Sequence, residues 1–216
     1  MSKFPKYLLN GYKNFMSGHY KNECQRYYDL AEKGQKPDTM IIACCDSRSA
    51  PETIFGTKPG ELFVVRNVAN LVPPFCADDE GQHGTSAALE FGIIALKIKN
   101  IVVMGHGKCG GIHTALNPLP KPLARGNFIG KWLDMLKPAA DEVNENKQIT
   151  DSERQTALER LSVHNSIKNL RSFPYIAELE AEKKLALHGA WFDIKSGELW
   201  VMNNKNGEFE KISSEL

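Results

Sequence analysis

Thr39-Met-Ile-Ile-Ala-Cys44 runs directly into Cys45-Asp46-Ser47-Arg48. The first six residues carry no charge and few polar atoms, the pattern of a strand buried on both faces as parallel sheets require. The polar residues that follow end it and leave Cys44 at its carboxyl end. A second such run, Asn100-Ile-Val-Val-Met-Gly105, passes at once into His106-Gly107-Lys108-Cys109. Between them, residues 61–65 read as a short strand. Residues 85–98 read as a helix, with Ala88, Phe91, Ile94, Ala95 and Ile98 at helical spacing. Residues 185–194 and 198–203 read as paired strands turned by Lys195-Ser196-Gly197. Residues 4–34 form a predicted helical arm bearing Tyr7, Leu8, Tyr12, Phe15 and Tyr27; 150–170 is a second long helix and 137–147 a polar surface helix. Strands alternating with helices predict an α/β fold. Its central sheet is mostly parallel, about four parallel strands plus one antiparallel edge strand, flanked by helices. One domain spans 1–216, divided into an arm (1–34) and a core (35–216).

In an open α/β sheet, ligands collect beyond the carboxyl ends of the strands. Cys44, His106 and Cys109 sit there, on two different strands. A lone free cysteine is most often a small buried hydrophobe. Two thiols and an imidazole at matched strand ends instead make the donor set of a zinc ion with three protein ligands and one open position, the pattern of catalytic sites. Such an ion lowers the pKa of bound water from ~15.7 toward roughly 7. Two thiolates cancel its charge and weaken that effect, so a compensating group is needed. Asp46, held ionised by Arg48, can accept the hydrogen bond of the nucleophile and aim its lone pair. Cys45 follows Cys44 and points to the opposite side, so it is expected beneath the site; Cys24 and Cys76 have no ligand spacing. Gly105-His-Gly107-Lys-Cys-Gly110 also satisfies the dinucleotide fingerprint, but the nearest later acid is Asp134, too far along to hold a ribose. The glycines are read as letting backbone pass close to the metal, with the Gly110 amide facing the site.

The formal charge of +1 gives no general attraction to nucleic acid or an anionic membrane, and no apolar run nears the roughly 20 residues of a membrane span. The opening Met-Ser-Lys-Phe-Pro-Lys-Tyr lacks a secretory apolar segment. Five cysteines, an odd number, argue against a disulfide set, and a thiolate site suits a reducing compartment. The expectation is a cytoplasmic protein with no nucleic-acid or membrane partner.

Taken together, Ala43-Cys44-Cys45-Asp46-Ser47-Arg48, Phe63-Val-Val-Arg66-Asn-Val-Ala-Asn-Leu-Val-Pro-Pro and Gly105-His106-Gly107-Lys108-Cys109-Gly110-Gly111 resemble a β-class carbonic anhydrase. The resemblance extends more loosely through His188-Gly-Ala-Trp-Phe-Asp-Ile-Lys-Ser-Gly-Glu-Leu199. It implies reversible hydration of CO₂ to bicarbonate and a proton by zinc-bound hydroxide. It also implies one Zn²⁺ per chain on Cys44, His106 and Cys109, and a homodimer or homotetramer with N-terminal helices wrapped on a partner. Phe63, Val68 and Phe91 would line the substrate pocket, Gln35 would reach in from a neighbouring chain, and the Gly110 amide would touch substrate. A small apolar pocket suits uncharged CO₂, although by composition alone the three apolar residues read equally as core.

Some members carry a bicarbonate switch built from a tryptophan, an arginine and a tyrosine. The matching positions here are Ile41, Arg66 and Phe192. Only the arginine agrees, which predicts an open, water-bound zinc near neutral pH. A relative hydrolysing COS or CS₂ with the same ligands, and a zinc-stabilised binding protein without turnover, are the alternatives. Among the remaining histidines, His83 stands in a polar loop, where an imidazole is suited to shuttling protons. His113, four residues after Cys109, lies on a helix leading away from the metal.

Overall fold

The computed structural model describes residues 4–77 and 83–213. In chain order the elements are α1 (Lys6–Phe15), α2 (Lys21–Lys33), β1 (Thr39–Cys44), α3 (Pro51–Ile54), β2 (Leu62–Asn67), α4 (Gly84–Glu90), β3 (Asn100–His106), α5 (Gly110–Leu116), α6 (Phe128–Leu133), α7 (Lys137–Glu145), α8 (Asp151–Leu170), α9 (Pro174–Ala181), β4 (Ala186–Asp193), β5 (Glu198–Met202) and β6 (Phe209–Lys211). The strands join in the order β2-β1-β3-β4-β5-β6. The first four run parallel, and β5 is antiparallel to β4 as expected. β6 extends that edge by a further antiparallel strand. Its three residues, Phe-Glu-Lys, are too few to show the alternation by which a strand is recognised in sequence.

Two strand bounds move for a reason visible in the ladder. β2 continues past residue 65 because its pairing with β1 extends to Cys44↔Asn67. β3 takes in His106, which pairs with Phe192. The helix expected over 85–98 is α4 followed by a π-helical turn, Phe91–Ala95; the left-handed Lys97 (φ 58°) then bends the chain into β3.

One face of the sheet, with Met40, Ile42, Ile101, Val103 and Leu187, packs against Leu89, Val163, Ile167 and Leu170 in the main core. α8 supplies the last three. Its amino end is closed by Glu153, whose Oε2 accepts the Thr150 backbone N–H at 3.1 Å. Gly105 and Gly189 let α8 approach: a Cβ would lie 3.0 Å from Val163 Cγ2 at Gly105 and 2.9 Å from Val163 Cγ1 at Gly189. The other face buries Ile41, Ala43, Met104 and Ala190.

α1 and α2, joined by a π-helical turn at Met16–Tyr20, form the arm. Neither helix buries a residue in the single chain, and Phe4, Tyr7 and Tyr12 are 61%, 74% and 60% exposed. Its far end is tied to the core by Arg26, which donates to Pro59 O at 2.7 Å and pairs with Glu61 at 3.2 Å. Among the described residues, no helix is long and apolar enough to cross a membrane.

Candidate metal centre

β1 and β3 are neighbours in parallel register, with Ala43 opposite Met104. Cys44 and His106 therefore leave the sheet side by side at its carboxyl edge. The His106-Gly-Lys-Cys109 turn then doubles back through Lys108, whose φ of 57° is left-handed. It ends with Cys109 as the residue capping α5. The donor atoms of Cys44, His106 and Cys109 all lie within 4.8 Å of one another, and all three residues are buried. The two sulfurs are 3.9 Å apart. Two Zn–S bonds of about 2.3 Å at the tetrahedral angle would set them ~3.8 Å apart, so the spacing fits that ion. His106 Nδ1 lies 2.9 Å from the Gly107 carbonyl, a contact that makes Nδ1 the donor. Its Nε2 is buried without a well-formed hydrogen bond, its interaction there being with the Cys44 sulfur. A lone pair hidden from water without a good donor is costly; a cation held by the two sulfurs would accept it. Among the described residues no fourth His, Cys, Asp or Glu joins the cluster.

The thiols are prepared for a cation. A hydrogen bond from the Cys109 thiol brings Cys44 down to about 4, and the same bond pushes Cys109 up. The peptide N–H groups of Asp46 and Ala69 also favour the Cys44 thiolate, and those of Ile112 and Gly111 favour that of Cys109. Ala69 reaches Cys44 from a strained turn, since Ala69 (φ 64°) and Asn70 (φ 50°) are both left-handed. The Asn67 side chain holds that turn, donating to Leu71 O and accepting from Leu71 N, each at 2.8 Å.

Asp46 and Arg48 meet as expected. Arg48 donates from Nε to Asp46 Oδ1 at 2.9 Å and from Nη2 to Oδ2 at 2.7 Å, and its backbone N–H adds 2.9 Å to Oδ1. These bonds hold the Asp46 carboxyl well below the usual carboxylate range. Arg48 Nη2 also reaches the Lys108 carbonyl at 3.2 Å, tying the two ligand-bearing loops together. Arg66 supports the first loop from below, donating to Cys44 O at 2.8 Å and Asp46 O at 2.6 Å.

Other expectations need correction or placement. Cys45 is exposed in the chain rather than packed beneath the site. Its N–H closes the ladder on Asn67 O at 2.9 Å, so the side chain turns out on the side away from Cys44. Among the glycines of this turn, Gly111 has the closest neighbours, because a Cβ there would stand 2.8 Å from Val68 Cγ1 and 3.1 Å from Ala69 Cβ. Gly110 borders open space, with nothing within 4 Å of such an atom. Val68 packs against the cluster of Cys44 and Cys109. Phe63 pairs in register with Met40, four residues before Cys44, about 13 Å up the strand. Its ring lies 6.0 Å from that of Phe91, tilted by 37°, and Phe91 is 53% exposed. Gln35 is exposed in the segment between α2 and β1. Ile41 is core, and Phe192 O accepts the Gly107 N–H at 2.8 Å. His83 precedes α4, and His113 is exposed on α5 outside the cluster.

Sequence reasoning missed Glu159. It is 1% exposed on α8 and accepts hydrogen bonds from Cys109 N at 3.1 Å, Gln155 Nε2 at 3.0 Å and Trp191 Nε1 at 3.2 Å. Burial pushes its carboxyl up, against those three donors. The available signal was its spacing: Glu159 falls three and four residues before the buried Ser162 and Val163, an acid on an inward stripe.

A family model described as "Carbonic anhydrase" matches residues 39–199. "Beta carbonic anhydrase 3" of Arabidopsis thaliana is 35% identical over 204 residues, 92% of this chain and 77% of that protein. The β-carbonic anhydrase CcaA superimposes with a TM-score of 0.88 at 28% identity, covering 98% of this chain and 93% of its own. One of two tetrameric β-carbonic anhydrases from Sordaria macrospora gives 0.77 at 33% identity, covering 92% and 96%.

Proposed function

Because this chain belongs to the carbonic anhydrase family, in its β class, we propose that its two carboxyl-edge loops act as one catalytic device. The enzyme hydrates carbon dioxide reversibly to bicarbonate and a proton, with zinc as its cofactor. Zinc supplies the Lewis acidity that makes water nucleophilic near neutral pH. Cys44, His106 and Cys109 hold it, and the observation that carries this assignment is the buried His106 Nε2, without a well-formed hydrogen bond, facing two sulfurs 3.9 Å apart. Asp46, fixed by Arg48, accepts the hydrogen bond of the attacking water and keeps its lone pair aimed at carbon. Arg48 thereby positions both loops. Val68 gives the site an apolar wall, and Gly110, which borders open space, would offer its amide to substrate. Phe63, Phe91 and Gln35 complete the pocket across an interface between chains; the distance of Phe63 from its own Cys44 supports this.

Assembly as a homodimer or homotetramer has two supports. The chain exposes 14035 Å², against about 10,000 Å² for a compact monomer of this mass. The arm presents Phe4, Tyr7 and Tyr12 with no cover of its own. We place residues 1–34 as that arm and 35–216 as one catalytic domain. We place the protein in the cytoplasm, where the thiols of its five cysteines, none of them in a disulfide, stay reduced. A stopped-flow CO₂ hydration assay tests the whole reading. The zinc-loaded chain is expected to turn over, and the C44A variant to lose both zinc and activity. A C44A protein that keeps stoichiometric zinc and full turnover would refute the ligand assignment.

A further inference from the structure

Besides the three ligands and the Asp46–Arg48 pair, a buried acid on α8 stands against the loop that carries Cys109. Glu159 lies on the inward side of α8, 1% exposed, with its carboxylate directed at the loop that carries Cys109. One oxygen accepts the Cys109 N–H at 3.1 Å and the Gln155 amide at 3.0 Å; the other accepts the Trp191 indole at 3.2 Å. Gln155 also donates to the Cys109 carbonyl at 3.3 Å. The peptide groups on both sides of the Cys109 α-carbon are therefore gripped from one helix, by residues four apart in sequence. The two strand glycines that let α8 sit this close, Gly105 and Gly189, belong to the same arrangement, since the Glu159 carbonyl itself would meet a Cβ at Gly105 at 3.3 Å.

We propose that Glu159, with Gln155, is a positioning residue for the zinc site: it fixes the peptide of Cys109 so that the sulfur already stands at tetrahedral spacing from Cys44. The inference rests on the zinc reading above. The 3.9 Å separation of the sulfurs depends on the carboxyl edge of β3 keeping its place against β1, and a left-handed Lys108 in the turn makes that loop liable to relax. The neighbouring Arg48 grips the loop at Lys108 O only from an exposed side chain. The Glu159 anchor is the more enclosed of the two, being 1% exposed and accepting three hydrogen bonds, whereas Arg48 grips from an exposed side chain. Replacing the Glu159 carboxylate with an amide sets a donor against the Cys109 or Trp191 N–H and leaves one of them unpaired.

The test uses full-length protein with Zn²⁺ and, separately, Co²⁺ as probes. Glu159→Gln is expected to weaken zinc binding ten- to a hundredfold in chelator competition, the range typical of groups that orient metal ligands. Its cobalt form should show weakened thiolate-to-metal charge-transfer bands, while the metal-free protein still melts as a folded species. Gln155→Met, at a half-buried position, should act in the same direction by a smaller factor. If either folded variant binds zinc with wild-type affinity and gives the wild-type cobalt spectrum, the proposal is overturned. It is overturned equally if only the melting temperature of the metal-free protein falls, since Glu159 would then be holding the fold alone. Should Glu159→Gln fail to fold, Gln155→Met decides by the same readouts. Wild-type protein that takes up cobalt without thiolate bands would overturn the zinc reading itself.

Discussion

Substituting alanine at two adjacent glycines separates the packing of the site from its opening. At Gly111 the new methyl would stand 2.8 Å from Val68 Cγ1 and 3.1 Å from Ala69 Cβ, well inside the ~3.5–4.0 Å of ordinary carbon contacts. Neither neighbour can retreat. Val68 is β-branched and stiff about its first torsion, while Ala69 is fully buried in a left-handed turn clamped by Asn67. Overpacking of this kind costs about 1–3 kcal/mol. Alanine's better helix preference offsets up to ~1 kcal/mol of that, and less in a first turn. The net loss of about 1–2 kcal/mol corresponds to a melting temperature roughly 2–8 °C lower for a chain of this length. Gly110→Ala meets nothing within 4 Å. It should melt within about a degree of wild type or slightly above it, yet lose CO₂ hydration activity as its methyl enters the open side of the site. Thermal unfolding at saturating zinc, read beside stopped-flow kinetics, compares the pair. A Gly111→Ala protein as stable as wild type, or a Gly110→Ala protein that falls equally far, would show that the close approach of α5 to Val68 does not constrain the site.

Arg48→Ala should retain zinc and lose about ten- to a hundredfold in kcat for CO₂ hydration. Arg48 holds Asp46 below its ordinary value; what ionised Asp46 contributes is therefore complete above pH ~3.9 and fades only as pH falls through the lower folded value. Without Arg48 that loss moves up only to the ordinary carboxylate range of about 3.9, still below the near-neutral titration of the water that zinc activates, so kcat should fall at every pH while the acid limb stays in place; a wild-type kcat would contradict the role given to the pair. Deleting residues 1–33 should lower the number of chains per assembly in light scattering, because the exposed Phe4, Tyr7 and Tyr12 would no longer cover a partner; an unchanged number of chains would remove the arm from the interface.

The parts of the fold legible in the sequence are those written in local order along the chain. An unbroken apolar run at Thr39–Cys44 specifies a buried strand, and the residue type at its end specifies what the sheet edge carries. Cys44, His106 and Cys109 were visible as one donor set for that reason, and Asp46 with Arg48 because they are two residues apart. β6 was not visible because three residues show no period, and the split of 84–95 into an α-helix and a π-helical turn was hidden because both keep nearly the same apolar spacing.

From the amino acids in order came the parallel sheet, the three ligands and the paired acid and base, because strand periodicity and side-chain chemistry act over a few residues. Three-dimensional packing alone decided that Cys45 faces outward, that Gly111 rather than Gly110 bears the close contact, and that Glu159 of a distant helix holds the peptide of Cys109. Each of those depends on which surfaces meet when α8 and α5 settle on the sheet. That meeting is set by the register and twist of strands far apart in the chain, which no local pattern encodes.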